Sequence, residues 1–322
     1  MKLLIVTQAV DADDSDLGFF VQWIEEFSKH CEKITVICLR EGKYTLPSNV
    51  EIIVLGKAPR LVRAMRFWRA CISRRAEYDA VFVHMNPEYI VLAGLLWRFM
   101  HKRIALWYTH KSVNLKLRIA VLFAHTIFSA SAESFRLRTK KLRVMGHGID
   151  VDFFSPDPQI LRGTAVISVG RLSPTKRHDL TICAAEHFPN EVWVVGEGPE
   201  MQRLKNLAEQ LSLVSRVHFL GPQTQEQLRE KYRTAGVFVH TSETGSLDKV
   251  VLEALACGLP VITTSTILTG LPVIVISATP EDIAKEVIAV RTIDTDSLVA
   301  YVREHHSLQH LIPIILDSIQ VI

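Results

Sequence analysis

An α/β fold of two doubly wound, parallel-sheet domains is what this 322-residue sequence predicts, and three features predict it. Strand-like and helix-like segments alternate along the whole chain, a pattern that calls for parallel sheets joined by crossover helices. The strand-like segments are apolar throughout rather than at every second residue, as sheets covered on both faces require. The alternation breaks once, at Asp152-Phe153-Phe154-Ser155-Pro156-Asp157-Pro158, where two prolines mark a boundary. The length leaves about 150 residues for each half, enough for two separate cores.

In the first half the apolar runs predict strands at residues 3–6, 34–38, 52–55, 80–83, 104–107 and 126–129, with helices at 19–29, 60–75 and 89–100 between them. The second half restarts with strands at 165–169, 192–195, 217–220, 237–239, 261–263 and 272–276. Its helices are expected at 176–187, 200–210, 225–234, 250–257 and 281–290. The opening Met1-Lys2-Leu3-Leu4-Ile5-Val6-Thr7 reads as a first core strand and not as a leader, because acids follow it at once.

Composition places the chain among globular proteins, with 48% hydrophobic and 22% charged residues. Five scattered cysteines without a C-x-x-C spacing are expected to be reduced thiols, as in a cytosolic protein. No run of 18 apolar residues is present, so no segment is expected to span a membrane. The net charge of +3 conceals an asymmetry: residues 1–150 carry 23 Lys and Arg against 14 Asp and Glu, and residues 57–143 carry 18 against 4. The densest basic segment is 57–75. On a helix, Leu61, Met65, Trp68 and Ile72 fall on one stripe, flanked by Arg60, Arg63, Arg66 and Arg69. Such a helix either lies on an anionic membrane surface or packs its stripe on its own sheet and leaves the arginines solvated. Nucleic acid is not expected, since no binding module accompanies the basic face.

The chemistry concentrates in the second half. Ala165–Val169 is a buried strand followed by Gly170, then Arg171 and Lys176 on one loop. Two cations so placed suit a diphosphate. Further on, Gly245-Ser246-Leu247 opens a helix whose N-terminus favours phosphate. Glu253, two turns along, could accept both hydroxyls of a ribose. A glutamate within Val250-Val251-Leu252-Glu253-Ala254-Leu255-Ala256 needs a hydrogen-bonding partner if buried. Metal sites are not expected: the three Asp-x-Asp pairs recur by chance, and His305-His306 has no ligand partner in sight. Motifs for ATP hydrolysis, dinucleotide binding and a serine nucleophile are absent.

Gly-Arg-Leu-x-x-x-Lys at 170–176, Val195-Gly196-Glu197-Gly198-Pro199, Val217-His218-Phe219-Leu220-Gly221 and Leu252-Glu253-Ala254-Leu255-Ala256-Cys257-Gly258-Leu259-Pro260-Val261 occur in the order seen in family 4 glycosyltransferases (glycosyl transferases group 1). Gly146-His147-Gly148-Ile149-Asp150 also resembles that family's interdomain signature. The resemblance implies a GT-B fold, two Rossmann-like domains facing a cleft. Residues 1–152 would form the acceptor domain and 153–300 the donor domain; a last helix, 301–322, would pack back on the first domain. It further implies a retaining, metal-independent hexosyl transfer from a nucleotide-diphosphate sugar, UDP-sugar being the commonest, to a lipid-linked or polysaccharide acceptor. No cofactor is implied, and the protein would be cytoplasmic, at most peripheral on the inner face of a membrane.

By the same resemblance Arg171 and Lys176 hold the donor phosphates, Glu253 holds the ribose, and the Gly196-Glu197-Gly198 loop meets the base. Gly18 belongs to a loop replacing the family's glycine-rich acceptor-side loop, and His110 resembles a histidine near the donor sugar. The important departure is at position 245, and Asp248-Lys249 has no counterpart in the family's pattern either. The family's first glutamate falls at Gly245. Either Glu243 substitutes for it, or the backbone of Gly245 and Ser246 holds the sugar and no carboxylate is present. Two rival readings remain: a non-catalytic relative acting as a binding subunit, and a nucleotide-sugar epimerase, which needs paired carboxylates in the cleft.

Overall fold

The structure, a computed structural model, describes residues 1–290 and 294–320. The chain divides into two compact units, one of residues 1–148 joined by the chain from 308 onward, the other of residues 149–307. Residues 291–293 of the expected donor domain and 321–322 of the expected last helix lie outside the described residues.

The first unit is built on seven strands: β1 (Lys2–Val6), β2 (Lys33–Cys38), β3 (Val50–Val54), β4 (Ala80–His84), β5 (Arg103–Trp107), β6 (Thr126–Ser129) and β7 (Leu142–Val144). They pair in parallel in the order β3-β2-β1-β4-β5-β6-β7. Strand order therefore reverses beside β1 while every strand stays parallel, the doubly wound arrangement that apolar strands imply. Helix α1 (Phe19–His30) turns Phe20, Trp23, Ile24 and Phe27 onto one sheet face, the 3–4 spacing of a helix packed along a single stripe. Helices α2 (Arg60–Ser73), α3 (Pro87–Phe99) and α4 (Leu115–Phe123) cover the opposite face.

The second unit repeats the plan with β8 (Val166–Val169), β9 (Val192–Val195), β10 (Val217–Gly221), β11 (Val237–His240), β12 (Val261–Thr263) and β13 (Ile274–Val275), ordered β10-β9-β8-β11-β12-β13 and parallel throughout. Helices α5 (His178–Ala184), α6 (Met201–Gln210) and α9 (Pro280–Ala289) line one face. On the other lie α7 (Gln225–Thr234), α8 (Lys249–Ala256) and α10 (Thr295–His305). After Ser307 the chain re-enters the first unit. There α11 (Leu308–Gln320) buries Leu311, Ile312, Ile315 and Ile319 in the same core as α1.

Several elements stand where no expectation was placed, among them one helix and one edge strand of the first unit. Helix α4 starts at Asn114, whose side chain accepts from the Leu117 N–H at 2.9 Å, a cap visible in the sequence. Strand β7 is a three-residue edge strand, Leu-Arg-Val, half exposed and without an apolar run to announce it. All five cysteines are unpaired, and burial pushes the thiols of Cys38, Cys71 and Cys257 up to about 12. These are core side chains and not nucleophiles.

Each unit also buries a neutral histidine. His84 stacks on Phe20 with ring centroids 4.0 Å apart, and burial lowers it to about 3. Burial, aided by the nearby Lys176 charge, lowers His178 to about 4. Both bind protons more readily unfolded, near pH 6.5, than folded. Their contribution to stability is thus complete above that pH and lost as pH falls through it. Each histidine is expected to cost roughly 2–3 kcal/mol by about pH 4.5. Urea melts across that range should show the midpoint falling steadily with acid; a flat profile would contradict this.

Candidate functional site

Apart from Gly18 and His110, the sequence-predicted site residues lie in the second unit, on the loops at the C-terminal ends of three adjacent strands or, for Glu253, on the helix that follows one of them. The loop after β8 carries Gly170, Arg171 and Lys176; the loop after β9 carries Gly196, Glu197 and Gly198; the segment after β11 carries Glu243 to Leu247 and leads into α8. The β8 and β11 loops flank the point where strand order reverses, where doubly wound sheets open a crevice.

The first two loops interlock through bare backbone. Gly170 N–H donates to the Val195 carbonyl at 3.0 Å and Leu172 N–H to that of Glu197 at 2.8 Å. Gly196 has φ +127°, and a Cβ there would lie 2.1 Å from the Gly170 oxygen; at Gly198 it would lie 2.3 Å from the Leu172 oxygen. Only glycine fits such an approach. The β8 loop is likewise stitched to the β11 loop: Thr241 Oγ1 donates to the Lys176 and Arg177 carbonyls at 2.9 and 2.8 Å, and Glu243 N–H to Thr175 at 2.8 Å.

The cations are held differently. Arg171 is exposed and has no ion pair among the described residues. Lys176 Nζ sits 2.6 Å from Asp248 Oδ2, and the same oxygen accepts from His240 Nε2 at 2.9 Å. A carboxylate only accepts, so the proton is on Nε2 and Nδ1 accepts from Thr263 Oγ1 at 3.0 Å. Burial alone would raise the Asp248 carboxyl. The His240 hydrogen bond and the Lys176 ammonium outweigh it and hold the group well below the usual carboxylate range. The sequence reading did not select Asp248 or His240; they act here as the mount that aims Lys176.

Glu253 is only 1% exposed on α8. Its Oε1 pairs with Lys249 one turn earlier, while Oε2 is buried with no hydrogen-bond partner. An orphaned carboxylate oxygen in the interior is costly and calls for a donor. Glu243 faces Arg177, Nη1 to Oε1 at 2.5 Å, with its side chain 56% exposed. Arg177 itself is in the left-handed region, φ +51°. Gly245 turns the chain with φ +61°, between the Ser242–Thr244–Ser246 hydroxyl cluster and Leu247. Among the described residues no three His, Cys, Asp or Glu side chains are grouped to hold a metal.

Two further candidates, Gly18 and His110, belong to the first unit. Gly18 is buried at the start of α1, where a Cβ would meet the Asp14 and Ala12 carbonyls at 2.6 and 2.7 Å. His110 is exposed after β5, its Nδ1 accepting from the Ser112 N–H at 3.0 Å. His84, at the end of β4, is sealed against Phe20 and faces the core.

Residues 155–307 match the model of the family described as glycosyl transferases group 1. That match lies within the second unit and covers just under half of the chain. Over 151 residues the chain is 37% identical to D-inositol 3-phosphate glycosyltransferase of Mycobacteroides abscessus, covering 42% of this chain and 33% of that protein. The match thus spans about a third of the length of that relative. Among solved structures, Anabaena HepE in complex with UDP-glucose superposes over 100% of both chains with a TM-score of 0.79 at 16% identity. WaaG, a glycosyltransferase involved in lipopolysaccharide biosynthesis, covers 99% of this chain and 100% of its own with a TM-score of 0.68 at 15% identity. The fold is therefore GT-B, with two Rossmann-like units.

Proposed function

We propose that the chain transfers a sugar from a nucleoside-diphosphate donor, a UDP-sugar first, to a hydroxyl of a lipid-linked or polysaccharide acceptor. The observation that carries this reading is the buried, half-satisfied Glu253 on the same strand-end edge as Arg171 and the mounted Lys176. That edge offers an acceptor for ribose hydroxyls beside two cations for a diphosphate. The solved HepE complex with UDP-glucose supports uridine as the first base to try.

In the proposed reaction the bond between the anomeric carbon and the β-phosphate oxygen breaks, and its electron pair leaves with the phosphate. Arg171 and Lys176 stabilise that developing charge. The acceptor oxygen bonds to the anomeric carbon from the face the phosphate vacates, so configuration is retained, and its proton passes to the departing diphosphate. Two fixed cations supply the neutralisation a metal would, and no cofactor is needed. His110 and Glu243 are the proposed sugar-side contacts; Gly18 lies on the acceptor side. The protein would work in the cytoplasm, on an anionic inner membrane surface reached through the basic 57–75 segment.

A second reading, a nucleotide-binding subunit without turnover, is favoured by one observation: Lys176 and Glu253 already have partners from their own chain, and Gly245 stands at the family's first glutamate. Thermal melts with UDP, GDP, ADP and their common sugars, with and without EDTA, test both readings. Stabilisation by UDP that survives chelation, together with UDP release from a UDP-sugar when acceptor is added, is the expected result. Stabilisation without turnover would favour the binding subunit, and no stabilisation by any nucleotide would end the donor-site reading.

A further inference from the structure

Helix α2 does not pack its apolar stripe on its own sheet. Phe67, Ala70 and Cys71 face the core, whereas Leu61, Met65, Trp68 and Ile72 are 73, 52, 44 and 46% exposed. The stripe continues onto α3, where Leu95 and Phe99 are 59 and 77% exposed, and Trp68 Nε1 ties the two helices by donating to the Leu92 carbonyl at 2.9 Å. An apolar face of this size on one side of a domain marks a surface that is covered in use.

Between the N-terminal halves of α2 and α3 the face opens into a cavity of about 470 Å³. Its walls are apolar, formed by Leu39, Leu55, Ala64, Phe67 and Leu92, while Arg60, Arg63 and Lys116 also line it. Lys116 is engaged by Glu88. Arg60 and Arg63 have no ion pair among the described residues, and Arg63 Nε is buried with no hydrogen-bond partner. A buried guanidinium nitrogen without an acceptor, next to an apolar cavity, points to an anionic ligand with a hydrocarbon part. The segment 57–143, to which both helices belong, carries 18 basic against 4 acidic residues, a charge that favours an anionic surface over a cationic partner.

We infer that this cavity binds one anionic phospholipid out of the membrane. Arg60 and Arg63 take the phosphate, a hydrocarbon chain lies against Phe67 and Leu92, and the exposed stripe of α2 and α3 sits in the lipid surface. The inference rests on the proposed glycosyl transfer only for the further step of making such a lipid the acceptor; the binding stands apart from it.

Two measurements on the full chain test it. Sedimentation with phosphatidylcholine vesicles, alone or mixed in equal parts with phosphatidylglycerol, should show at least about tenfold stronger binding to the anionic vesicles, an advantage lost in the Arg60→Glu/Arg63→Glu double variant. Calorimetry with monomeric short-chain phosphatidylglycerol should show one saturable site. Ala64→Trp, which fills the cavity and leaves both arginines, should abolish that site while keeping anionic-vesicle preference. Equal binding to both vesicle types would overturn the inference. So would monomeric lipid binding unchanged in Ala64→Trp, or a concentration-dependent dimer that buries the stripe in place of lipid. A melting temperature and far-UV circular dichroism close to the parent's report that each variant is folded, and nucleotide stabilisation of the parent protein is measured beside them. Loss of that stabilisation in the parent protein would sink the donor-site reading alone, without touching the lipid result.

Discussion

Arg171→Ala is expected to lower sugar transfer by about 10²–10³-fold and to leave the melting temperature almost unchanged. The two effects separate because Arg171 is exposed and has no ion pair among the described residues, so its removal strands nothing. Lys176→Ala should behave otherwise. Its ammonium is one of two groups holding the buried Asp248 carboxylate ionised. Without it, His240 alone faces that charge, and stability should drop by about 1–3 kcal/mol in addition to the lost turnover. Steady-state kinetics with the donor identified by the nucleotide melts, run beside thermal melts of both variants, checks the contrast. Full turnover in Arg171→Ala would remove it from the site. An unchanged melting temperature in Lys176→Ala would show that the Asp248 pair contributes little.

The contrast also shows which parts of the site could be read from residue order. Arg171 and Lys176 are five residues apart on one loop, and their positions follow from a strand and a glycine. Asp248 lies 72 residues from Lys176 and meets it only because β8 and β11 are neighbours in the sheet. Periodicity identifies apolar strands but does not order them, so this pair and the Arg177–Glu243 pair, 66 residues apart, were out of reach. Lys249 and Glu253 were within reach, since i,i+4 residues share a helix face. The aspartate at the start of α8 read as a departure from the family pattern, whereas in the structure it mounts the lysine that the pattern does contain.

The fold was legible for a related reason. Fully apolar strands alternating with helices allow little besides covered parallel sheets, and both units prove to be such sheets in the same strand order. The short edge strand β7 and the chain's return to the first unit through α11 carry no such local signature. Helix α11 even holds Pro313 inside it, a residue that argues against a helix when only the sequence is considered. Tertiary burial of Leu311, Ile312, Ile315 and Ile319 outweighs that local cost. The stripe on α2 shows the opposite limit: its spacing predicted a helix with one apolar face, but spacing alone left open whether sheet or surroundings cover that face.

Gly196→Ala is expected to be the most damaging single-methyl change in the second unit. The added Cβ would lie 2.1 Å from the Gly170 carbonyl oxygen, backbone against backbone, where no side chain can swing aside. Residue 196 also has φ +127°, which an alanine adopts only under strain. Clash and strain together should cost about 3–5 kcal/mol, or roughly 10 °C in melting temperature. Gly221→Ala is the control. It has a positive φ of +70°, in the left-handed region that alanine reaches at a smaller cost, and nothing lies within 4 Å of the new methyl, so it should cost only about 1–2 kcal/mol. Relief of the clash requires the β8 and β9 loops to part, and the Gly170–Val195 and Leu172–Glu197 hydrogen bonds hold Arg171 between them. Gly196→Ala should therefore lose nucleotide stabilisation even at temperatures where the protein is still folded, while Gly221→Ala keeps it. Equal losses in the two variants would mean that backbone conformation, and not the close approach of the loops, sets the requirement for glycine.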